Sequence, residues 1–127
     1  MIEHHGWHLP IGFDGIKAYQ FCKKLAEKNG GLILPTMWWG GGGGHDVFKW
    51  THYQDLSAAQ NILQTTARQM LDYGIKILIL FAGHYPWQKL LDNVVESLRE
   101  TYPDTLILAG TETVSYTHLT LPTNREV

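Results

Sequence analysis

The sequence predicts an α/β fold of three layers, α/β/α, with a mostly parallel sheet between helices, and three observations support that expectation. Stretches with helical apolar spacing alternate with short runs that are apolar throughout, and glycine or proline bounds each run. The strand-like runs also lack the strict apolar–polar alternation of a sheet with one wet face. Strands buried on both faces and separated by helices imply parallel pairing with right-handed crossovers.

Asp14-Gly15 opens the first helix, in which Ile16, Tyr19, Cys22 and Leu25 share one face, and Asn29-Gly30-Gly31 stops it, so the expected span is about Gly15 to Lys28. Cys22, the sole cysteine, reads as a small buried residue on that helix and excludes an internal disulfide. Leu32-Ile33-Leu34, ended by Pro35, reads as a short buried strand. From Pro35 to about Asp55 the chain is rich in tryptophan and glycine without a sustained period, as in a lid or pocket wall.

Ser57 is the expected N-cap of a second helix that presents Leu63, Ala67, Met70 and Leu71 on one face before Gly74 stops it. Ile75 to Phe81, apolar except for Lys76, is expected to be a central strand buried on both faces. Pro86 suits the first turn of a third helix with a core stripe of Leu90, Leu91, Val94, Val95 and Leu98. Thr105 to Ala109 forms the last strand.

Residues 1–113 are expected to form one domain. Residues 114–127 carry no helical period and are expected to be a non-native or disordered tail. Met1 lies only two residues before the densest polar cluster, whereas such a cluster normally hangs from the end of a strand, so the fold is expected to be truncated at both ends.

The 127 residues are 44% hydrophobic, enough for a real core. A net charge of -2 offers no basic footprint, which argues against nucleic acid as a partner. The longest apolar run, Ile77 to Ala82, is too short to cross a bilayer, and no leader pattern precedes it. A cytoplasmic protein without a membrane partner is expected.

Seven histidines stand out in the composition, and their positions matter more than their number. Glu3-His4-His5-Gly6-Trp7-His8 packs four potential ligands into six residues, and Asp14 follows. In an extended segment Glu3 and His5 point to one side and His4 to the other, so Glu3 and His5 are the better pair for zinc or a harder divalent ion. Asp14, at a helix start, is either a further metal carboxylate or an N-cap alone. His84 follows the most apolar strand through Gly83, where ligands gather beyond the carboxyl ends of parallel strands; a buried structural histidine is the alternative.

Glu3-His4-His5-Gly6-Trp7-His8-Leu9-Pro10-Ile11-Gly12-Phe13-Asp14 resembles the creatininase-family signature E-x-H-G-x-H-L-P-x-x-x-D, and Gly83-His84 resembles that family's later N-G-H motif. The resemblance covers residues 2 to 112. It implies that Glu3, His5, Asp14 and His84 are metal-binding and catalytic, with the aspartate bridging two divalent ions, zinc or manganese. It also implies an enzyme that hydrolyses a nonpeptide or cyclic amide C–N bond with a metal-activated water, assembled as a homo-oligomer.

Two positions depart from the family pattern, and a later motif is not matched. Ala82 replaces the asparagine, Pro86 stands where creatininase has a metal-binding glutamate, and the downstream E-T-S region lies beyond this chain. Tyr85 matches creatininase's own G-H-Y, where the tyrosine lines the substrate pocket.

Trp38, Trp39 and His45 belong to the glycine-rich segment that corresponds to the family's G-x-S-x-x-H, and with Tyr85 they are the expected substrate-binding residues. A phosphate cradle is disfavoured there, because no helix follows the five glycines directly and no Lys-Ser/Thr closes them. From another functional class comes a noncatalytic metal- or sugar-binding module with tryptophans as stacking surfaces. A flavodoxin-like nucleotide binder rests on fold analogy alone.

Overall fold

In the computed structural model, residues 1–42 and 44–112 are described. Chain contacts divide the protein into two compact units, Met1–Thr65 and Thr66–Val127. The expectation of a tail at 114–127 lies outside the described residues.

The first unit is built around helix α1, Phe13–Asn29. It starts two residues earlier than expected because a tight turn precedes it: the Phe13 N–H donates to Pro10 O at 3.0 Å, and the Ile16 N–H reaches Gly12 O at 3.0 Å. Gly12 is the N-cap and Asp14 lies within the first turn. The helix ends where Gly30 takes φ 76°, a conformation that costs a side-chain-bearing residue about 1 kcal/mol or more. Gly30 N–H then caps Ala26 O at 2.8 Å, and the Asn29 amide donates to Leu25 O at 2.9 Å. Cys22 is half-buried, and that burial pushes its thiol pKa up, which keeps it protonated and unreactive.

Leu32-Ile33-Leu34 is not a strand, contrary to expectation, and Leu32 is 91% exposed. A β-strand exists through its ladder, and these three residues have no pairing partner among the described residues. The following segment is irregular, as expected, and holds two isolated bridges, Ile2 to His52 antiparallel and Gly41 to Gln54 parallel.

Helix α2, Leu56–Asp72, straddles the boundary between the units. Its cap is Asp55 rather than Ser57. The Asp55 carboxylate accepts the Ala58 N–H at 3.0 Å and also the Ser57 hydroxyl, so the serine serves as a donor to the cap. Ala59, Ala67 and Leu71 are its buried positions.

In the second unit β1, Ile77–Ala82, pairs in parallel with β2, Leu106–Thr111, in the register Ile77↔Leu106 to Ala82↔Thr111. A single 3-10 turn at Tyr85–Trp87 leads into α3, Gln88–Thr101, which packs against β2. All five expected stripe residues of α3 are buried, and with Leu80 and Ile107 they form this unit's core. Burying each such side chain contributes about 1.5–3 kcal/mol. The Arg99 guanidinium donates to Ile107 O at 3.0 Å, and the Tyr102 hydroxyl donates to Asp72 Oδ1 at 2.5 Å.

The expectation that β1 is buried on both faces is corrected. Ile77, Ile79, Leu106 and Leu108 are 61%, 43%, 52% and 44% exposed. The parallel register puts these four residues on one face of the pair, and α3 covers the other, where Ile107 and Leu80 lie. Among the described residues no helix is long and apolar enough to cross a membrane.

Candidate metal centre

Main-chain hydrogen bonds fix the segment Ile2–His5 from both sides. Glu3 N–H donates to Ile11 O at 3.0 Å, His52 N–H donates to Ile2 O at 2.8 Å, and His4 N–H donates to Thr51 Oγ1 at 3.1 Å. Alternation then sends Glu3 and His5 toward the start of α1, while the His4 ring packs against Trp7 and Phe48 at 5.4 and 5.9 Å. Gly6 turns the chain at φ 83°, and His8 is exposed outside the cluster.

His5 carries the geometry that decides the chemistry. Its Nδ1 lies 3.1 Å from Glu3 O, an oxygen that only accepts, so the Nδ1–H tautomer donates there. Nε2 then faces two carboxylates, 3.2 Å from Asp14 Oδ1 and 3.6 Å from Glu3 Oε2. A neutral imidazole carries one N–H and so satisfies only one of these two sides. A cation, or a second proton on the ring, makes the arrangement favourable.

Glu3 and Asp14 are only 2% and 4% exposed, and buried carboxylates require compensation by charge or donors. Lys17 Nζ lies 3.5 Å from Asp14 Oδ1, and His45 Nδ1 lies 2.8 Å from Glu3 Oε1. This donor set of two carboxylates and an imidazole nitrogen fits a divalent ion. Asp14 is held by its place in the first turn of α1, where the helix dipole favours negative charge, and the cap role belongs to Gly12.

Trp38 lies across Gly12 and Gly15, so close that a Cβ at either glycine would overlap the indole. Trp39 instead lines an open cleft of about 360 Å³ with Gln54, Ala58, Ala59 and Ile62. Of the residues expected to bind substrate, His45 therefore joins the carboxylates, Trp38 packs on α1, and Trp39 faces this cleft. Lys17 was missed by the reading from sequence, although its i,i+3 spacing from Asp14 on a helix was the available signal.

In the second unit Gly83 carries the chain from β1 directly into His84, which is 7% exposed and lies just past the carboxyl end of the strand. His84 O accepts the Trp87 N–H at 3.1 Å, and the ring lies 6.3 Å from that of Tyr85, which is 67% exposed.

The family described as Creatinine amidohydrolase matches residues 1–126. The chain belongs to the creatininase family. The creatinine amidohydrolase of Pseudomonas putida is 31% identical over 89 residues, which are 66% of this chain and 34% of that protein. A crystal structure of creatinine amidohydrolase (creatininase) aligns with TM-score 0.79 and 22% identity, over 87% of this chain and 46% of that one. A manganese creatininase gives TM-score 0.79 at 22% identity, and a mutant creatininase of Zn–Zn type gives 0.75 at 25%.

The chain thus spans about a third of the curated relative and about half of the solved structures. The α/β class with a parallel sheet, expected from the sequence, is the fold of these creatininases.

Proposed function

We propose that the whole protein is a metal-dependent amidohydrolase that cleaves a nonpeptide or cyclic amide C–N bond. In this reading Glu3, His5, Asp14 and His84 hold divalent metal, zinc or manganese. The observation that carries it is His5 Nε2 set between the Asp14 and Glu3 carboxylates while Nδ1 is committed to a carbonyl oxygen. Two neighbours in the fold comparison, a manganese creatininase and a Zn–Zn creatininase, support the choice of metals.

Bound divalent metal supplies Lewis acidity, lowering the pKa of a water toward neutrality and polarising a carbonyl. The residues of this chain do the positioning. Glu3 O orients the His5 ring, the first turn of α1 holds Asp14, and Lys17 balances its charge. Trp38 seals the apolar side of that turn. Tyr85, Trp39 and His45 are proposed to shape the substrate side. The protein is proposed to be cytoplasmic and, at full length, a homo-oligomer.

Ala82 and Pro86, which depart from the family pattern, favour a second reading as a metal-binding module without turnover. Elemental analysis and titration calorimetry on the chain, beside Asp14→Ala and His84→Ala, test the metal site. About two divalent ions, with the tighter lost in both variants, is the expected result. A folded chain that binds no metal overturns the reading. Turnover of small cyclic amides by the full-length protein separates the enzyme from the module.

A further inference from the structure

We propose that His45 is a positioning residue for Glu3: its Nδ1–H holds Oε1, so that Oε2 is the oxygen presented beside His5 and Asp14. The proposal rests on the reading of Glu3 as a metal ligand. The two oxygens of this carboxylate have separate surroundings, since Oε1 lies 2.8 Å from His45 Nδ1 and Oε2 lies 3.6 Å from His5 Nε2. A buried carboxylate whose first oxygen is already engaged offers the second in one orientation, which removes rotational freedom before any ion arrives.

The imidazole of His45 is itself held. Its ring lies edge-on to Phe48 at 5.7 Å and to His5 at 6.2 Å. The main chain delivers it through Gly44 at φ 98°, and a Cβ at Gly42 would overlap the Asp46 carboxylate. Glycine is therefore favoured at position 44 by its backbone conformation, immediately before His45. The His45 side chain is 50% exposed while that of Glu3 is 3% exposed, so the contact joins a surface loop to a buried ligand. Fixing the ligand and fixing the loop are one event.

The test uses the 127-residue chain with Mn²⁺ or Zn²⁺ titrated by calorimetry into wild type, His45→Ala, His45→Asn and His45→Gln, each checked for folding by circular dichroism. An outer partner of a ligand contributes about 10–100-fold in metal affinity, and that loss is expected for His45→Ala. His45→Asn, whose amide nitrogen sits where Nδ1 does, is expected to recover most of the loss, and His45→Gln is not. Unchanged or tighter binding in His45→Ala overturns the proposal. Recovery by Gln and not Asn also overturns it, because it shows that His45 acts through Nε2.

A second readout needs no metal. Nitrogen-15 spectra of the ring report directly which nitrogen of His45 carries the proton. The Nδ1–H form is expected in wild type, and Glu3→Ala is expected to lose it. The same tautomer in both proteins overturns the clamp. If wild type binds no metal, the functional reading fails, and this measurement still decides whether His45 holds Glu3.

Discussion

Gly15→Ala puts a methyl group where the Trp38 indole already lies. The new Cβ would overlap Cζ3 and fall 2.7 Å from Cε3 and 2.9 Å from Cη2, so three atoms of one rigid ring must move together. Alanine is the better helix former, by at most about 1 kcal/mol in this first turn. Overpacking costs about 1–3 kcal/mol, toward the upper end when the obstacle is a planar ring. The difference is a net loss of about 1–2 kcal/mol.

Urea denaturation followed by circular dichroism measures that loss, and repeating it in a Trp38→Leu background isolates the contact. With the indole gone, the same Gly15→Ala change should become neutral or stabilising. A Gly15→Ala protein as stable as wild type, or an equal effect in both backgrounds, refutes the packing of Trp38 on α1.

Leu91→Ala removes a 1% exposed side chain from the face of α3 and should cost about 2–5 kcal/mol in chemical denaturation, against little for the exposed Lys89→Ala. The hydrogen bonds from the Ser57 hydroxyl and the Ala58 N–H hold the Asp55 carboxyl below its usual range. Its stabilisation is therefore complete above the ordinary carboxylate pKa and is lost as pH falls through the lower folded value. Melting curves of Asp55→Asn across acidic pH should lack that part of the decline. Trp50 has φ 70° at the third position of the turn closed by Thr51 N–H to Phe48 O, so Trp50→Asn should gain about 1 kcal/mol in thermal unfolding.

The helices were legible because their signals are local. The spacing of Leu90, Leu91, Val94, Val95 and Leu98 named the buried face of α3 in full, and Gly30 marked the stop of α1. Strand status was less legible, because a ladder depends on what lies alongside. Leu32-Ile33-Leu34 has the composition of a strand and no partner among the described residues, and β1 has the composition of a doubly covered strand with one face open.

In the site, period-two alternation paired Glu3 with His5 ahead of His4. It could not foresee that His45, some forty residues on, would meet Glu3, because that contact depends on the course of an aperiodic loop. The different surroundings of Trp38 and Trp39 were equally hidden, since adjacent residues in irregular chain carry no fixed directions.

The bonds that seat Ile2–His5 between Ile11 and His52 are made by peptide groups, and only the bond from His4 to Thr51 needs a particular side chain. Any residue with an N–H can occupy position 52, and proline alone would break the seat. Position 52 can therefore change its side chain while the path that presents Glu3 and His5 stays constant. The seat thus constrains the backbone at position 52 and leaves its side chain unconstrained, a requirement that only a proline substitution exposes.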